Sequence, residues 1–171
     1  MKDTFAATVA AQGQDDYIRA IVAETARITH TGFVAVARVT EDRWVACQVS
    51  DEMEFGIKPG DELDIETTIC REIRDCGKAI VIDHVDADPE WRTHPVPALY
   101  GFQSYASFPI ILNDGSFYGT LCAIDREPRA LSARTMVAVL ERQAERLGDI
   151  LSVGSIASNA AAAQATSGGA S

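Results

Sequence analysis

A chain of 171 residues, 47% of them hydrophobic, is long enough to bury one core and short for two. Its 25 acidic against 15 basic side chains give a formal charge of −10, which repels nucleic-acid phosphates and anionic lipid, and no apolar run reaches the roughly 18 residues of a membrane span. The N-terminus lacks the charged-then-apolar order of a secretory signal, and Cys47, Cys70, Cys76 and Cys122 form no CxxC pair, so a cytoplasmic protein with free thiols is expected.

Residues 1–14 carry few large apolar groups and are expected to be a flexible N-terminus that frays or extends a helix from a neighbour, with order beginning near Asp15. Over residues 15–30, Ile18, Ile21, Val22, Ala26 and Ile28 follow helical spacing, Asp15 and Asp16 suit the N-terminal end, and Gly32 lies past the stop; this predicts a helix with one buried face. Residues 32–40 and 44–50 are rich in β-branched side chains on either side of Glu41 and Asp42, the pattern of an antiparallel hairpin. A polar loop over 51–61 leads to a short helix over 67–75 that Gly77 stops.

Residues 79–85 read as a strand. Asp88, Pro89 and Glu90 then open a crossover that Pro95 and Pro97 keep short and irregular. Residues 103–112 and 116–125 read as strands, and Asn113, Asp114 and Gly115 between them supply the positive φ angles of a tight hairpin. Over 133–151, Met136, Leu140, Gln143, Ala144, Leu147 and Ile150 step by three or four, giving a mainly apolar helical stripe. Two covers suit it: the chain's own sheet, or the same helix of a second chain in a homodimer, and so short a stripe does not separate them. Residues 152–171 are uncharged and mostly Ala, Ser and Gly, which predicts a disordered tail or a linker toward a downstream signalling domain or protein.

No constellation for catalysis stands out. His30, His84 and His94 lack the spacing of metal ligands, and there is neither a Gly-rich phosphate loop nor a Gly-x-Ser-x-Gly elbow. The concentration is aromatic: Trp91, His94, Tyr100, Phe102, Tyr105 and Phe108 fall between positions 91 and 108. Flat rings beside a few hydrogen-bonding groups suit a planar or hydrophobic ligand, with Asp83, His94 and Tyr105 as orienting contacts. The same rings would also plug the open face of a small sheet.

The element order predicts an α+β fold around a central antiparallel sheet of five to six strands. GKAIVID at 77–83, DADPEW at 86–91 and YGTLCAID at 118–125 resemble the turn into the middle strand, the following loop and the closing strand of GAF domains, the PAS-related small-molecule-binding modules of signalling proteins. The resemblance covers about residues 15–151 and is most specific over 77–125. It implies N- and C-terminal helices on one face of the sheet, a crossover loop with short helices on the other, and a ligand held beneath that crossover. The site residues expected there are Cys70, Asp83, Trp91, His94, Tyr100, Phe102 and Tyr105.

Phytochrome-like GAF domains hold a linear tetrapyrrole near a Cys-His pair. His94-Pro95 falls at that position, so the thiol for covalent attachment is absent, and Glu66 stands where the tetrapyrrole-contact motif has a proline. GAF-fold enzymes that reduce free methionine sulfoxide carry two working cysteines on the segments over the pocket. Cys70 lies near one, but residues 86–100 contain none, and without that thiolate the mechanism lacks its nucleophile. The signature of cyclic-nucleotide-binding members has no counterpart, and Arg71, Arg74 and Arg92 read as exposed partners of nearby acids. The cofactor is therefore unidentified, with noncovalent bilin and cyclic nucleotide both lacking a supporting motif. The expected role is a noncatalytic sensor. The rivals are a ligandless dimerisation or protein-interaction module and a thiol-dependent enzyme of the methionine sulfoxide reductase type.

Overall fold

The computed structural model describes residues 3–167, with side chains as far as Val153. Six strands make one sheet: β1 (Phe33–Val39), β2 (Trp44–Asp51), β3 (Glu62–Leu63), β4 (Ile80–Ile82), β5 (Ser104–Ile111) and β6 (Phe117–Asp125). Their order is β3-β2-β1-β6-β5-β4, and every pairing is antiparallel. The α+β reading and the hairpin at Asn113–Gly115 are thus found as expected, with Gly115 at φ 88° where a Cβ would be strained. The short β3 lies in a stretch from which no strand was expected.

Alternation divides the strands between two layers. Val34, Val36, Val45, Cys47, Ala106, Phe108, Ile110, Leu121 and Ala123 are buried in the main core with the helices, while Ala35, Ala37, Trp44, Ala46, Tyr105 and Cys122 belong to clusters on the opposite face. Helix α2 (Asp16–Thr29) begins where Asp15 Oδ1 accepts the N–H groups of Tyr17 at 2.8 Å and Ile18 at 3.2 Å, and it ends at left-handed His30. Ile18, Ile21 and Val22 are its buried stripe.

The N-terminus departs from expectation. Residues 4–12 form helix α1 (Thr4–Gln12), capped by Asp3, whose Oδ1 accepts Ala6 N–H at 2.9 Å. Ala6 and Val9 are buried in the core, and Gly13 lies so close to β2 that an added Cβ would stand 1.8 Å from the Cys47 carbonyl oxygen. Small side chains favour both helix formation and close seating on a strand, so the scarcity of large apolar groups was not a sign of disorder. Residues 1–2 lie outside the described residues.

The C-terminal helix α5 (Arg134–Ser167) runs past the predicted end at 151. Ser152 is buried, and its Oγ accepts Asn113 N–H at 2.9 Å while donating to the Gly148 carbonyl at 2.6 Å, so the helix is still tied to the β5–β6 hairpin there. The segment expected to be a tail is alanine-rich and proline-free over 152–167, a composition that favours continuing the helix; residues 168–171 lie outside the described residues. Leu140, Gln143, Ala144, Leu147 and Leu151 are buried, the apolar four within the main core, so the chain's own sheet covers the stripe. Among the described residues no helix is long and apolar enough to cross a membrane.

Opposite the helices, the sheet carries a roof. A 3-10 turn, Ile65–Thr67, and helix α3 (Cys70–Cys76) replace the single helix expected over 67–75, and Gly77 closes α3 at φ 68°. Strand β4 is shorter than the expected 79–85, giving way to a 3-10 turn at Val85–Ala87. The helical start expected at residues 88–90 is a turn instead, and helix α4 (Pro95–Tyr100) begins later, with Pro95 in its first turn, and stops at left-handed Gly101.

Candidate functional site

Between the sheet and this roof lies a cavity of about 50 Å³. Its floor is Phe33, Trp44, Tyr105, Cys122 and Ile124 from the strands. Its walls and ceiling are Phe55, Ile57, Leu63, Thr68, Ile69, Cys70, Val96, Tyr100 and Phe102. Phe33 meets Phe55 edge to face at 5.1 Å, and Phe102 stacks on Tyr105 at 5.3 Å with 26° between the planes. The volume exceeds the ~10–15 Å³ that one water requires. It is far below the ~300–1,000 Å³ of pockets for drug-sized compounds, so a tetrapyrrole does not fit this conformation.

The roof is held by few polar ties. The Thr67 and Tyr100 hydroxyls are 2.8 Å apart and join the 3-10 turn to the end of α4. Asp51 folds the preceding loop by accepting the N–H groups of Met53, Phe55 and Gly56 at 3.1, 3.2 and 2.9 Å. That loop places Phe55 over Phe33, and Arg126 fixes it by donating to the Met53 carbonyl at 2.9 Å.

At the inner end of the cavity lies a cluster of thiols and hydroxyls. Cys70 Sγ, in the first turn of α3, is 3.6 Å from Cys122 Sγ on β6 and 3.2 Å from Thr120 Oγ1, with the Tyr105 hydroxyl at 3.7 Å. Cys122 Sγ is also 3.3 Å from Ser107 Oγ and 3.2 Å from Thr120 Oγ1. The Cys122 thiol, hydrogen-bonded to Cys70, holds Cys70 below the usual thiol range, helped by Thr120 and Tyr105 and opposed by burial. The same bond, with burial and the neighbouring negative charge, pushes Cys122 well up. Two sulfurs in contact share one negative charge readily and two with difficulty.

Of the residues predicted for the site, Cys70, Tyr100, Phe102 and Tyr105 line the cavity. Trp91 is buried one layer behind, in the cluster with Ile82, Val85 and Phe102. Asp83 is elsewhere. Ile82 is buried beneath the roof, so alternation turns Asp83 away, and its carboxylate accepts the Ser132 N–H at 2.8 Å and the Ser132 hydroxyl. His94 does not line the cavity either: Nδ1 accepts Val96 N–H at 3.2 Å, Nε2 lies 3.4 Å from Glu72 Oε1, and the ring leans on Trp91 at 4.8 Å. Pro95 has no N–H to offer, which leaves that of Val96 for the histidine cap.

The lining residues not anticipated are Phe33, Trp44, Phe55, Ile57, Leu63, Thr68, Ile69, Val96, Cys122 and Ile124. Two signals could have found some of them. Strands β1, β2 and β6 are apolar at consecutive positions, which means both faces are covered. Phe55 and Ile57 are, with Met53, the bulky apolar residues of a mostly polar loop. Among the described residues no group of three or more His, Cys, Asp or Glu side chains is placed to hold a metal ion.

Comparison with known proteins agrees with this arrangement. A family model for the GAF domain matches residues 15–151. The GAF domain of an Acinetobacter phosphoenolpyruvate-protein phosphotransferase superposes with a TM-score of 0.66 at 10% identity, covering 93% of this chain and 99% of that one. The red-light-absorbing state of NpR6012g4, a red/green cyanobacteriochrome, gives 0.67 at 15% identity over 82% of this chain and 95% of that one. A type II free methionine-R-sulfoxide reductase from Thermoplasma acidophilum gives 0.61 at 12% identity, covering 85% and 93%. A search among curated protein sequences finds no match.

Proposed function

The chain belongs to the GAF domain family over residues 15–151, and from that premise we propose that it is a noncatalytic sensory domain that holds a small, largely apolar ligand between sheet and roof. The observation that carries this reading is the cavity itself, ringed by Phe33, Trp44, Phe102 and Tyr105 and closed by segments with few polar ties. An occupant would press on Phe102 and Tyr105. Tyr105 is the second residue of β5, whose Phe108 and Ile110 share the core with Leu140, Ala144 and Leu147 of α5. A ligand that fits one roof position better than another therefore biases α5, and only that difference in affinity can move the equilibrium.

In this reading α5 passes the change to a downstream domain or protein. Its outward side, not the buried stripe, would meet a second copy. Free thiols and an acidic surface fit a cytoplasmic setting. The absence of cysteine from residues 86–100 supports a sensor over a methionine sulfoxide reductase. A second reading, a ligandless interaction module, draws on the small cavity volume.

Native mass spectrometry of the chain purified from its own host separates the two. The sensor predicts a mass excess that is released on denaturation and is absent from Val96→Phe, whose ring fills the cavity. No excess in the unsubstituted chain favours the module.

A further inference from the structure

We propose that Cys70 and Cys122 form a peroxide-reactive dithiol at the inner end of the cavity, which hydrogen peroxide converts to a disulfide joining α3 to β6. The inference rests on reading the cavity as the sensory site and adds to the apolar ligand a second, polar input, a small peroxide.

Three observations carry it. The two sulfurs lie 3.6 Å apart, in contact without a bond, so side-chain rotation supplies much of the remaining approach. Both line a cavity of about 50 Å³, room for a molecule of two heavy atoms but not for a bulky disulfide or peptide oxidant. Hydroxyls of Thr120, Ser107 and Tyr105 surround the sulfurs at 3.2 to 3.7 Å and can donate to a thiolate and to the leaving oxygen. The depressed ionisation of Cys70 assigns it the attacking role and leaves Cys122 protonated as the resolving thiol.

The chemistry balances. Cys70 thiolate attacks one oxygen of hydrogen peroxide; the S–O bond forms, the O–O bond breaks, and the departing hydroxide takes up the proton Cys70 had lost, leaving as water. The sulfur is oxidised to a sulfenic acid and the peroxide reduced. Cys122 then attacks that sulfur; the S–S bond forms, the S–O bond breaks, and hydroxide leaves as a second water with the Cys122 proton. Two thiols and one peroxide give one disulfide and two waters. Cys76 is exposed and makes no thiol contact, whereas Cys47 is buried on the helix side of the sheet, so neither substitutes for the pair.

The test treats the full chain with hydrogen peroxide and maps peptides without reduction, cleaving at acidic residues so that Cys47 and Cys70 separate. The expected result is a Cys70–Cys122 cross-link, a loss of about 2 Da, and full reversal by dithiothreitol. This reading needs no substitution and so is immune to misfolding of a variant. In Cys122→Ala, where the sulfenic acid has no resolving thiol, unfolding the peroxide-treated chain in dimedone should label Cys70, whose sulfenic acid forms more slowly because the Cys122 hydrogen bond is gone. The proposal is overturned if both thiols stay reduced at a peroxide dose that oxidises Cys76, or if peroxide drives Cys70 to sulfinic acid with no cross-link in the unsubstituted chain. A host-derived mass excess that persists while the dithiol stays reduced sinks this inference alone. A dithiol that oxidises in a chain without that excess leaves the redox step standing and removes the small-ligand reading.

Discussion

Asp83 and Cys47 show how one residue's surroundings decide its role. Asp83 sits in the likeness to the family's middle strand, yet its carboxylate is spent on Ser132. Asp83→Ala should cost about 1 kcal/mol in chemical denaturation, the usual net worth of such hydrogen bonds, and leave the host-derived mass excess unchanged. Loss of that excess would return Asp83 to the binding site. Cys47 is buried between β2 and the helices, and burial pushes its thiol up to about 11 from 9.0. A raised thiol keeps its proton in the folded chain where the unfolded chain has lost it, so stability is fully present below pH 9 and falls as pH rises through 9 to 11. The loss attributable to this group is about 2–3 kcal/mol by linkage. Cys47→Ala should flatten the decline in denaturation midpoint across that window, whereas an unchanged slope would show that Cys47 does not titrate there.

Elements built from small residues were the least legible from the chain alone. Helix α1 offers Ala6 and Val9 where a reader looks for leucine, and its anchoring depends on how closely Gly13 approaches Cys47, which no local pattern displays. Ala6→Asp should lower stability by about 2 kcal/mol, since a carboxylate would enter the core without a partner; a neutral result would mean α1 is dispensable. The end of α5 was misplaced for a related reason: Ser152 looks like the first residue of a linker, but it is buried and its hydroxyl accepts the N–H of Asn113. Ser152→Ala should cost about 1 kcal/mol and loosen the hairpin, read as faster amide exchange at Asn113. By contrast, the hairpin and the helix over 15–30 were readable, because turn glycines, caps and apolar spacing act within a few residues.

For the whole molecule, an antiparallel sheet of five to six strands was predicted from element order, and the likeness to GAF domains implied helices on one face and a short-helix crossover on the other; six strands in that arrangement are found. Four of the fourteen residues lining the cavity followed from the same reasoning. Cys70, Tyr100, Phe102 and Tyr105 line the cavity because the crossover must pack on the sheet, while Trp44, Phe55 and Cys122 come from distant segments that only the folded register brings together. The crossover's polar residues went astray because caps and turns take nearby acceptors first, as with His94 and Val96. If cavity and α5 are linked through β5, filling the cavity with Val96→Phe should alter amide exchange in α5 as well as in the roof; a change confined to the roof would break that link.

The claim on which this account turns is that the space among Trp44, Phe102 and Tyr105 receives a small molecule. A crystal structure of the chain purified from its own host tests it most directly. The account predicts electron density for a compact, largely apolar compound there, with α4 and the Thr67–Tyr100 tie displaced outward. Side chains packed solidly through that space, with no such density, would contradict it.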